Sequence, residues 1–248
     1  MKALVTGASS GIGRSISEYL LNYGYDLIVV SKNKEELENI YNNYSNRVKC
    51  IELDLSKNSN VFKLYNMTKN DRIDILVNNA GMGDAGYFTE TSLDKELEMI
   101  RLNVEAYHIL TKLFLSVFVD RDYGRILNVA SIAGFMPGPK MASYYATKNY
   151  IVSLSMAIGY ELKKMKSKVK ISVFCPGPVK TNFSKSANVH FNIRSITSNE
   201  AGKCAVEGMF DDKLVIIPNN MKINKYLMNI VPDNLIMLIN SMIERRAS

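Results

Sequence analysis

The feature that most constrains this chain is the alternation of short apolar runs with longer segments of helical periodicity. The short runs have the length and the β-branched content of buried strands. They lie at Lys2–Thr6, Leu27–Val30, Val48–Leu53, Ile73–Val77, Arg125–Ala130, Lys170–Phe174 and Leu214–Ile217. Strands that alternate with helices through short connections form βαβ units. We therefore predict an α/β fold of the Rossmann type, with a doubly wound parallel sheet and helices on both faces.

No internal boundary divides the chain. Its 248 residues contain no repeat, low-complexity segment or linker rich in proline and glycine, and the hydrophobic fraction of 47% suits one large core. We predict a single domain over 1–248. An amphipathic pattern from Leu235 to Ile243 predicts a helical extension over about 219–248. This extension would pack on the domain, on a second subunit or, as a less favoured alternative, on a membrane surface.

The charge and the cysteines narrow the class of protein. The net charge is +7, but the densest basic run, 163–170, falls where a long helix should end and has no interleaved aromatic residues. We therefore predict no nucleic-acid partner. The three cysteines are few, odd in number and far apart, which argues against a disulfide framework or a metal site. Because the sequence shows neither a leader-like start nor an apolar run of about 18 residues, we expect a cytoplasmic protein.

A glycine-rich turn joins the first predicted strand to the first predicted helix. Its pattern is Gly7-x-x-x-Gly11-x-Gly13. Glycines allow a tight turn and a close approach of the backbone to a phosphate, and a helix N-terminus adds free N–H groups and a positive dipole end. In this strand–turn–helix context the pattern predicts a phosphate-binding turn, although its spacing differs from that of the generic dinucleotide fingerprint.

A tyrosine and a lysine carry the predicted chemistry. Tyr144 and Lys148 are four residues apart, so on a helix both project from one face. A phenol has an ordinary pKa of about 10, and an ammonium ~4 Å away would favour the phenolate by up to ~4 kcal/mol at an effective dielectric of ~20. That would bring the phenol into the range of a general acid and base at a carbonyl, where Ser131 could hydrogen-bond the same oxygen. Alone, the pair is also typical of an ordinary helix surface.

Several separated motifs occur together in this chain. They are Thr6-Gly7-x-x-x-Gly11-Ile12-Gly13, Asn78-Asn79-Ala80-Gly81, Asn103, Ser131, Tyr144-x-x-x-Lys148 and Pro176-Gly177. Their order and spacing resemble those of the short-chain dehydrogenase/reductase family. The resemblance runs from Lys2 to about Thr181 and fades beyond it, where it implies a mobile substrate lid over about 182–212.

The resemblance implies a role for each motif. Tyr144 would exchange a proton with the substrate, while Lys148 would lower the Tyr144 pKa and hold the nicotinamide ribose. Ser131 would orient the substrate oxygen, and Asn103 would hold a water that relays protons. The implied cofactor-binding residues are Thr6, Gly7, Ser9, Ser10, Gly11, Ile12, Gly13, Ser31, Lys32, Asp54, Leu55, Asn79, Ala80, Gly81, Tyr144, Lys148, Pro176, Gly177, Val179 and Thr181.

The residues after the second strand predict the form of the cofactor. An acidic residue there binds a ribose 2′-hydroxyl, whereas a cation suits a 2′-phosphate. This chain has Ser31 where an NAD enzyme of the family usually has aspartate, and Lys32 matches the frequent arginine of NADP enzymes. We therefore predict NADP(H) as the cofactor, with NAD(H) as the disfavoured alternative.

These features together predict an NADP(H)-dependent oxidoreductase that interconverts a carbonyl and a secondary alcohol. A lipophilic substrate is predicted from the apolar residues on the two expected walls of the substrate pocket. Those residues are Phe183, Val189, Phe191, Ile193 and Ile196 on the lid and Phe135, Met136, Pro137 and Met141 opposite. The alternatives are a dehydrogenase of 3-hydroxy acids or β-hydroxy amino acids, and a catalytically silent NADP-binding sensor. The family's usual subunit pairing implies a homodimer or homotetramer.

Overall fold

A computed structural model describes residues 1–191, 195–218 and 244–246 of the chain. Its strands are β1 (Lys2–Thr6), β2 (Asp26–Ser31), β3 (Val48–Glu52), β4 (Ile75–Asn78), β5 (Arg125–Val129), β6 (Lys170–Phe174), β7 (Val179–Lys180), β8 (Val189–Phe191), β9 (Ile196–Thr197), β10 (Val215–Ile216) and β11 (Glu244–Arg246). Its α-helices are α1 (Gly11–Asn22), α2 (Lys34–Tyr41), α3 (Asn58–Thr68), α4 (Leu93–Ile100), α5 (Ala106–Asp120), α6 (Ala142–Lys164), α7 (Phe183–Ser186) and α8 (Ser198–Phe210).

Seven of the strands form one parallel sheet in the order β3-β2-β1-β4-β5-β6-β10. Strand β1 pairs with β2 on one side and with β4 on the other. The chain therefore reverses its direction of winding between β1 and β4. In open α/β sheets, ligands bind in the crevice outside the carboxyl ends of the strands at such a switch point. The predicted Rossmann-type, single-domain α/β fold is confirmed.

Both faces of the sheet are buried. Successive residues of a strand point to opposite faces, so on β1 Ala3 and Val5 join one apolar cluster and Leu4 joins the other. The first cluster contains buried side chains of α1, α2 and α8, and the second contains buried side chains of α3, α5 and α6. This two-sided burial explains why the strands are almost continuously apolar rather than alternating.

The helices α4 and α5 are continuous through a π-helical turn, Arg101–Glu105. The whole helix, Leu93–Asp120, has a mean hydropathy of 1.3 over its most apolar stretch, and by length and composition it could span a membrane. In this fold its side chains Leu110, Phe114 and Phe118 are buried in the core beside the sheet. Its apolar character is therefore explained by packing within the domain.

Buried polar side chains connect the centre of the sheet to two helices. The Asn78 side-chain amide on β4 donates to Thr111 of α5 at 3.1 Å and to Asn128 of β5 at 2.9 Å. The Asn128 amide in turn donates to Ser155 of α6 at 3.0 Å. These contacts set the position of α6, the helix that carries Tyr144, relative to the sheet.

The predicted lid over about 182–212 contains two structurally different parts. Helix α8 packs closely on α1, where a Cβ atom at Gly202 would lie 2.4 Å from the Ser15 hydroxyl, and its apolar side chains belong to the main core. Only the part before it, with α7 and β8, lies beside Tyr144. An apolar helix face explains both a lid and a core helix, so the sequence pattern did not distinguish them.

The predicted C-terminal helical extension over about 219–248 lies outside the described residues except for its last part. Residues Glu244–Arg246 do not form a helix there: they are strand β11, which pairs antiparallel with β8. The helical interpretation was wrong for these three residues, because a sheet edge some fifty residues away in the chain supplies their backbone partners.

Replacing Asn128 with alanine should destabilise the domain by about 3 kcal/mol, because the buried Asn78 amide loses one of its two acceptors and the Ser155 hydroxyl loses its donor. Urea unfolding followed by circular dichroism measures the loss. The matched control is Asn70→Ala at an exposed turn, which should change stability little. Equal stabilities of the two variants would contradict the bracing role of the network.

Candidate active site

Predicted site residues follow the carboxyl ends of six parallel strands. Ser31 and Lys32 lie at the end of β2, Asp54 follows β3, Ser131 follows β5 and Pro176 follows β6. The glycine turn follows β1, and the turn 79–81 follows β4. Because carboxyl ends of parallel strands share one edge of the sheet, the fold brings these separate motifs to a single crevice.

The glycine turn is held in a conformation that needs glycine. Gly7 and Gly11 have φ angles of +66° and +53°, a region that side chains disfavour. At Gly13 a Cβ atom would lie 2.2 Å from the Gly7 carbonyl oxygen and 2.3 Å from the Asn79 side-chain nitrogen. The first turn of α1 is therefore pressed directly against the turns that follow β1 and β4.

Two polar side chains connect the turns after β1 and β4. The Thr6 hydroxyl oxygen accepts hydrogen bonds from the backbone N–H groups of Asn79 at 2.9 Å and Ala80 at 3.1 Å. The Asn79 side-chain amide donates to the carbonyl oxygens of Thr6 and Gly7, both at 3.0 Å. The side chains of Thr6 and Asn79 thus hold the two turns together. Because these side chains are used for structure, a ligand in the crevice would meet mainly backbone groups of the turns.

The start of α1 fits the pyrophosphate of a dinucleotide. Ser10 is the N-cap residue, but its side chain caps none of the free N–H groups of the first turn. Ser9, Ser10 and Gly11 line an open cleft of about 700 Å³, together with Asn33 and Asn182. Uncapped N–H groups, the positive end of the helix dipole and close backbone approach are the features that bind phosphate at a helix N-terminus.

Tyr144 and Lys148 lie on the same face of α6, as predicted from their spacing. The Lys148 ammonium is 5.7 Å from the centre of the Tyr144 ring and donates to the Val129 carbonyl oxygen at 3.2 Å. Lys148 is only 5% exposed, and burial lowers its pKa from 10.5 to about 8. It is therefore mostly protonated at pH 7, which places a cation beside a buried phenol.

Ser131 lies next to the loop that follows β6. Its hydroxyl donates to the Pro176 carbonyl oxygen at 3.3 Å and accepts from the Ala133 N–H at 3.2 Å, where it caps the short 3₁₀ helix Ile132–Phe135. Its side chain is thus fixed by backbone contacts, with a rotatable O–H. Two separately predicted site residues, Ser131 and Pro176, are thus brought into contact.

Asn103 lies within the π-helical turn and is fully buried. Its side-chain oxygen accepts from the Met82 N–H at 2.9 Å, and its amide donates to the Met82 carbonyl at 2.8 Å and to the Thr147 hydroxyl at 3.2 Å. The side chain therefore links the loop after β4 to α6 beside Lys148. π-Helical turns inside α-helices are frequent at functional sites. This turn was not predicted from the sequence.

Other predicted cofactor residues have different surroundings. Thr181 lies against the glycine turn, since a Cβ atom at Gly11 would be 2.9 Å from its methyl group. Val179 packs against the main core, and Leu55 is buried. A Cβ atom at Gly81 would lie 3.6 Å from the Lys148 nitrogen. Because Gly81 has no side chain, the space next to the ammonium stays open to a ligand.

The residues after β2 and β3 form an ionic cluster. The Lys32 ammonium is 3.3 Å from an Asp54 carboxylate oxygen and 3.0 Å from a Glu98 carboxylate oxygen. Burial opposes the charge of Lys32, but the hydrogen bonds to Glu98 and Asp54 outweigh it and raise the Lys32 pKa. Asp54 also accepts from the backbone and the hydroxyl of Ser56, and together with Lys32 these contacts outweigh burial and lower its pKa.

Sequence reasoning missed two residues of this site. Tyr107 donates from its hydroxyl to the Val129 carbonyl oxygen at 3.2 Å, the same acceptor that Lys148 uses, and its ring is 5.6 Å from the Lys148 nitrogen. It is four residues after Asn103, a helical spacing that could have suggested a shared face. Glu98 had no comparable signal, because its partner Lys32 is 66 residues away.

An apolar cluster surrounds Tyr144 on the side away from the sheet. The Phe183 ring of α7 is 5.3 Å from the Tyr144 ring. The rest of the cluster is rich in methionine and comprises Met82, Ala85, Met99, Ala133, Met136, Met141, Tyr145, Ala187 and Val189. Of the predicted pocket residues, Phe135 and Ile196 pack in other clusters, and Ile193 and the Phe191 side chain lie outside the described part.

Within residues 1–191, 195–218 and 244–246, no three His, Cys, Asp or Glu side chains are grouped so that they could hold a metal ion. Cys50, Cys175 and Cys204 form no disulfide bond in the part of the chain that the structure describes.

Comparison with known proteins agrees with this geometry. The family model described as short chain dehydrogenase matches residues 1–191. An uncharacterised oxidoreductase of Staphylococcus aureus (strain MRSA252) is 30% identical over 189 residues, which are 75% of this chain and 81% of that protein.

Two solved structures have the same fold. A short-chain dehydrogenase from Sphingobium yanoikuyae in complex with NADPH has a TM-score of 0.82 and 27% identity, over 93% of this chain and 96% of that one. The bulky-bulky ketone specific alcohol dehydrogenase from Comamonas testosteroni has a TM-score of 0.78 and 26% identity, over 93% and 94%. With the family model matching most of the chain, these likenesses confirm the resemblance seen in the motifs: this protein belongs to the short-chain dehydrogenase/reductase family of oxidoreductases.

Proposed function

We propose that this protein is an NADP(H)-dependent oxidoreductase that interconverts a lipophilic ketone and the corresponding secondary alcohol. The observation that carries the proposal is the buried pair on α6, in which the ammonium of Lys148 lies 5.7 Å from the ring of Tyr144. Lys148 is bonded to the carbonyl of Val129, the last residue of β5 and two residues before Ser131. The glycine turn follows β1 at the same edge of the sheet. A buried lysine whose pKa is lowered by burial, at the ligand-binding edge of the sheet, is typical of a functional site.

The crevice residues would hold the dinucleotide along the carboxyl edge of the sheet. The N–H groups of the first turn of α1 would bind the pyrophosphate, Asp54 and Leu55 would border the adenine, and Lys148 would bind the nicotinamide ribose. The loop 176–181 would border the nicotinamide. When bound, this cofactor supplies or accepts the hydride.

The side chains of this chain would manage the proton. Tyr144 would exchange it with the substrate oxygen, because the nearby ammonium of Lys148 favours the phenolate form. The Ser131 O–H would rotate from the Pro176 carbonyl toward the same oxygen, while the Ala133 N–H keeps the serine in place. Asn103 would maintain the path to solvent by holding a water, with its side chain fixed on Met82.

Two observations support NADP(H). The residue at the end of β2 is Ser31 rather than an aspartate, and Lys32 follows it with a half-exposed ammonium. The relative from Sphingobium yanoikuyae, which shares the fold over nearly the whole chain, binds NADPH. NAD(H) is the alternative that a binding measurement distinguishes.

The surroundings of Tyr144 support a lipophilic substrate. The methionine-rich cluster and the Phe183 ring offer dispersion contacts and few hydrogen-bond partners. A carboxylate substrate, such as a 3-hydroxy acid, would need a further cation near Tyr144, because Lys148 is assigned to the phenol and the ribose. Two lysines near the rim already have partners, since Lys95 pairs with Asp84 at 2.7 Å and Lys140 lies over the Tyr87 ring. The relative from Comamonas testosteroni is a ketone-specific alcohol dehydrogenase.

We further propose a homodimer or homotetramer that works in the cytoplasm. Helix α6 exposes Tyr150, Met156 and Tyr160, which are 40%, 41% and 59% exposed. Tyr150 is hydrogen-bonded to His108 of α5 at 2.7 Å, which connects the two helix surfaces. Exposed aromatic residues and methionine are enriched at subunit interfaces.

Replacing Tyr144 with phenylalanine should lower kcat by at least about a hundredfold, because the proton donor is lost while the ring remains. NADPH oxidation with a panel of aliphatic, aromatic and acyl ketones measures the activity. Tyr44→Phe is the matched control: it removes the hydroxyl of an exposed tyrosine that precedes β3, and its activity should be close to wild type. Full activity of a folded, cofactor-binding Tyr144→Phe variant would contradict the mechanism. A wild-type protein that binds NADPH but reduces none of the ketones would favour a catalytically silent sensor.

Replacing Lys148 with methionine should abolish activity and yet stabilise the fold at pH 7. Below pH 8 the lysine is charged in both the folded and the unfolded chain, and its burial costs about 3 kcal/mol. From pH 8 to 10.5 the unfolded chain binds more protons, so wild-type stability rises with pH and the advantage of the variant disappears. Urea unfolding between pH 7 and 10.5 measures the free energies of unfolding of both proteins.

The control for this variant is Lys163→Met, on an exposed part of the same helix. Its stability should run parallel to that of the wild type at every pH. A Lys148→Met variant that is less stable than the wild type at pH 7 would contradict the cost assigned to the buried ammonium.

Replacing Lys32 with glutamine should weaken NADPH binding by about tenfold and leave NADH binding nearly unchanged, because only NADPH offers a phosphate to this cation. Fluorescence titration of both reduced cofactors gives the two Kd values. Lys49→Gln is the control, since Lys49 pairs with Asp71 near the amino end of the sheet. Equal losses for NADPH and NADH would contradict the assignment of Lys32 to the 2′-phosphate.

A further inference from the structure

The ammonium of Lys32 is shared by two carboxylates that come from different parts of the chain. Asp54, which follows β3, is 3.3 Å from it, and Glu98, on α4, is 3.0 Å from it. Asp54 has two further hydrogen bonds to Ser56 that keep it in place. Among the residues that the structure describes, the side chain of Glu98 has Lys32 as its polar partner.

This arrangement has a net negative charge where the proposed cofactor needs a positive one. One ammonium faces two carboxylates, so the cluster of Lys32, Asp54 and Glu98 has a formal charge of −1. A 2′-phosphate, which is close to a dianion, can reach the ammonium only by displacing a carboxylate or by lying beside it. A ribose 2′-hydroxyl is neutral and meets no such opposition.

We propose that Glu98 is a specificity-determining residue that holds Lys32 and thereby reduces the preference of this site for a 2′-phosphate over a 2′-hydroxyl. The proposal rests on the proposed nicotinamide-dinucleotide function. It adds that Glu98 on α4 and the 2′-phosphate compete for the ammonium of Lys32, and that this competition sets the cofactor preference. Lys32 alone therefore does not decide the cofactor.

The position of Glu98 makes this competition effective. Its side chain is 36% exposed and that of Lys32 is 54% exposed, so the pair lies at the surface of the crevice where an incoming phosphate would arrive. Exposed ion pairs are weak and are screened by salt. The hold on Lys32 is therefore one that a phosphate can displace, at a cost in affinity.

The test compares Kd values for NADP⁺ and NAD⁺ by isothermal titration calorimetry. The two ligands differ only in the 2′-phosphate, so effects on the rest of the site cancel in the ratio Kd(NAD⁺)/Kd(NADP⁺). In Glu98→Gln this ratio should rise by about threefold to fivefold at low salt, and the rise should shrink as salt is added. The control is Glu207→Gln on α8, which also loses a lysine ion pair, and its ratio should equal that of the wild type.

A second comparison tests whether Glu98 acts through Lys32. In a Lys32→Gln background, adding Glu98→Gln should raise the ratio by much less than it does alone, since there is no ammonium to release. The same rise in both backgrounds would overturn the proposal in favour of direct repulsion of the phosphate. An unchanged or lower ratio in Glu98→Gln would also overturn it.

The test of Glu98 can be distinguished from the test of the proposed function. The wild-type ratio tests whether NADP(H) is preferred, whereas the change of the ratio in Glu98→Gln tests the role of Glu98. A wild-type protein that prefers NAD⁺ but gains NADP⁺ affinity in Glu98→Gln would refute the first and support the second.

Discussion

The site depends on the close contact between the turn after β1 and the turn after β4. The contact is possible only because Gly13 has no side chain, since a Cβ atom there would overlap the Gly7 carbonyl and the Asn79 amide. Thr6 and Asn79 then connect the two turns by hydrogen bonds through side chains. As a result the N-terminus of α1 and the loop before α4 open onto the same crevice.

A buried cation is the second element of the design. Lys148 lies between Tyr107 and Tyr144 and has the Val129 carbonyl as its acceptor, an environment that disfavours charge and lowers its pKa. The helix that carries it is held to the sheet by the buried contact of Asn128 with Ser155. The stability of the surrounding core therefore compensates for the cost of burying the charged Lys148. Titratable groups with shifted pKa values are common at functional sites.

The two ends of the crevice differ in chemistry. Beyond the glycine turn the side chains are charged and exposed, with Lys32 between Asp54 and Glu98. Around Tyr144 they are apolar, and Phe183 lies against its ring. This division agrees with the proposed function, in which an anionic dinucleotide binds at one end and a lipophilic substrate at the other.

Local pattern was sufficient for those features that a single segment encodes. Strand positions, the glycine turn and the shared face of Tyr144 and Lys148 follow from periodicities of two and of 3.6 residues, which any segment shows by itself. The tertiary structure alone decided that Tyr107 shares an acceptor with Lys148, that Glu98 holds Lys32, that Asn103 lies in a π-helical turn and that residues 244–246 pair with β8. Each of these depends on contacts between segments distant in the chain, and their geometry is set by how helices pack on the sheet, which no local periodicity records.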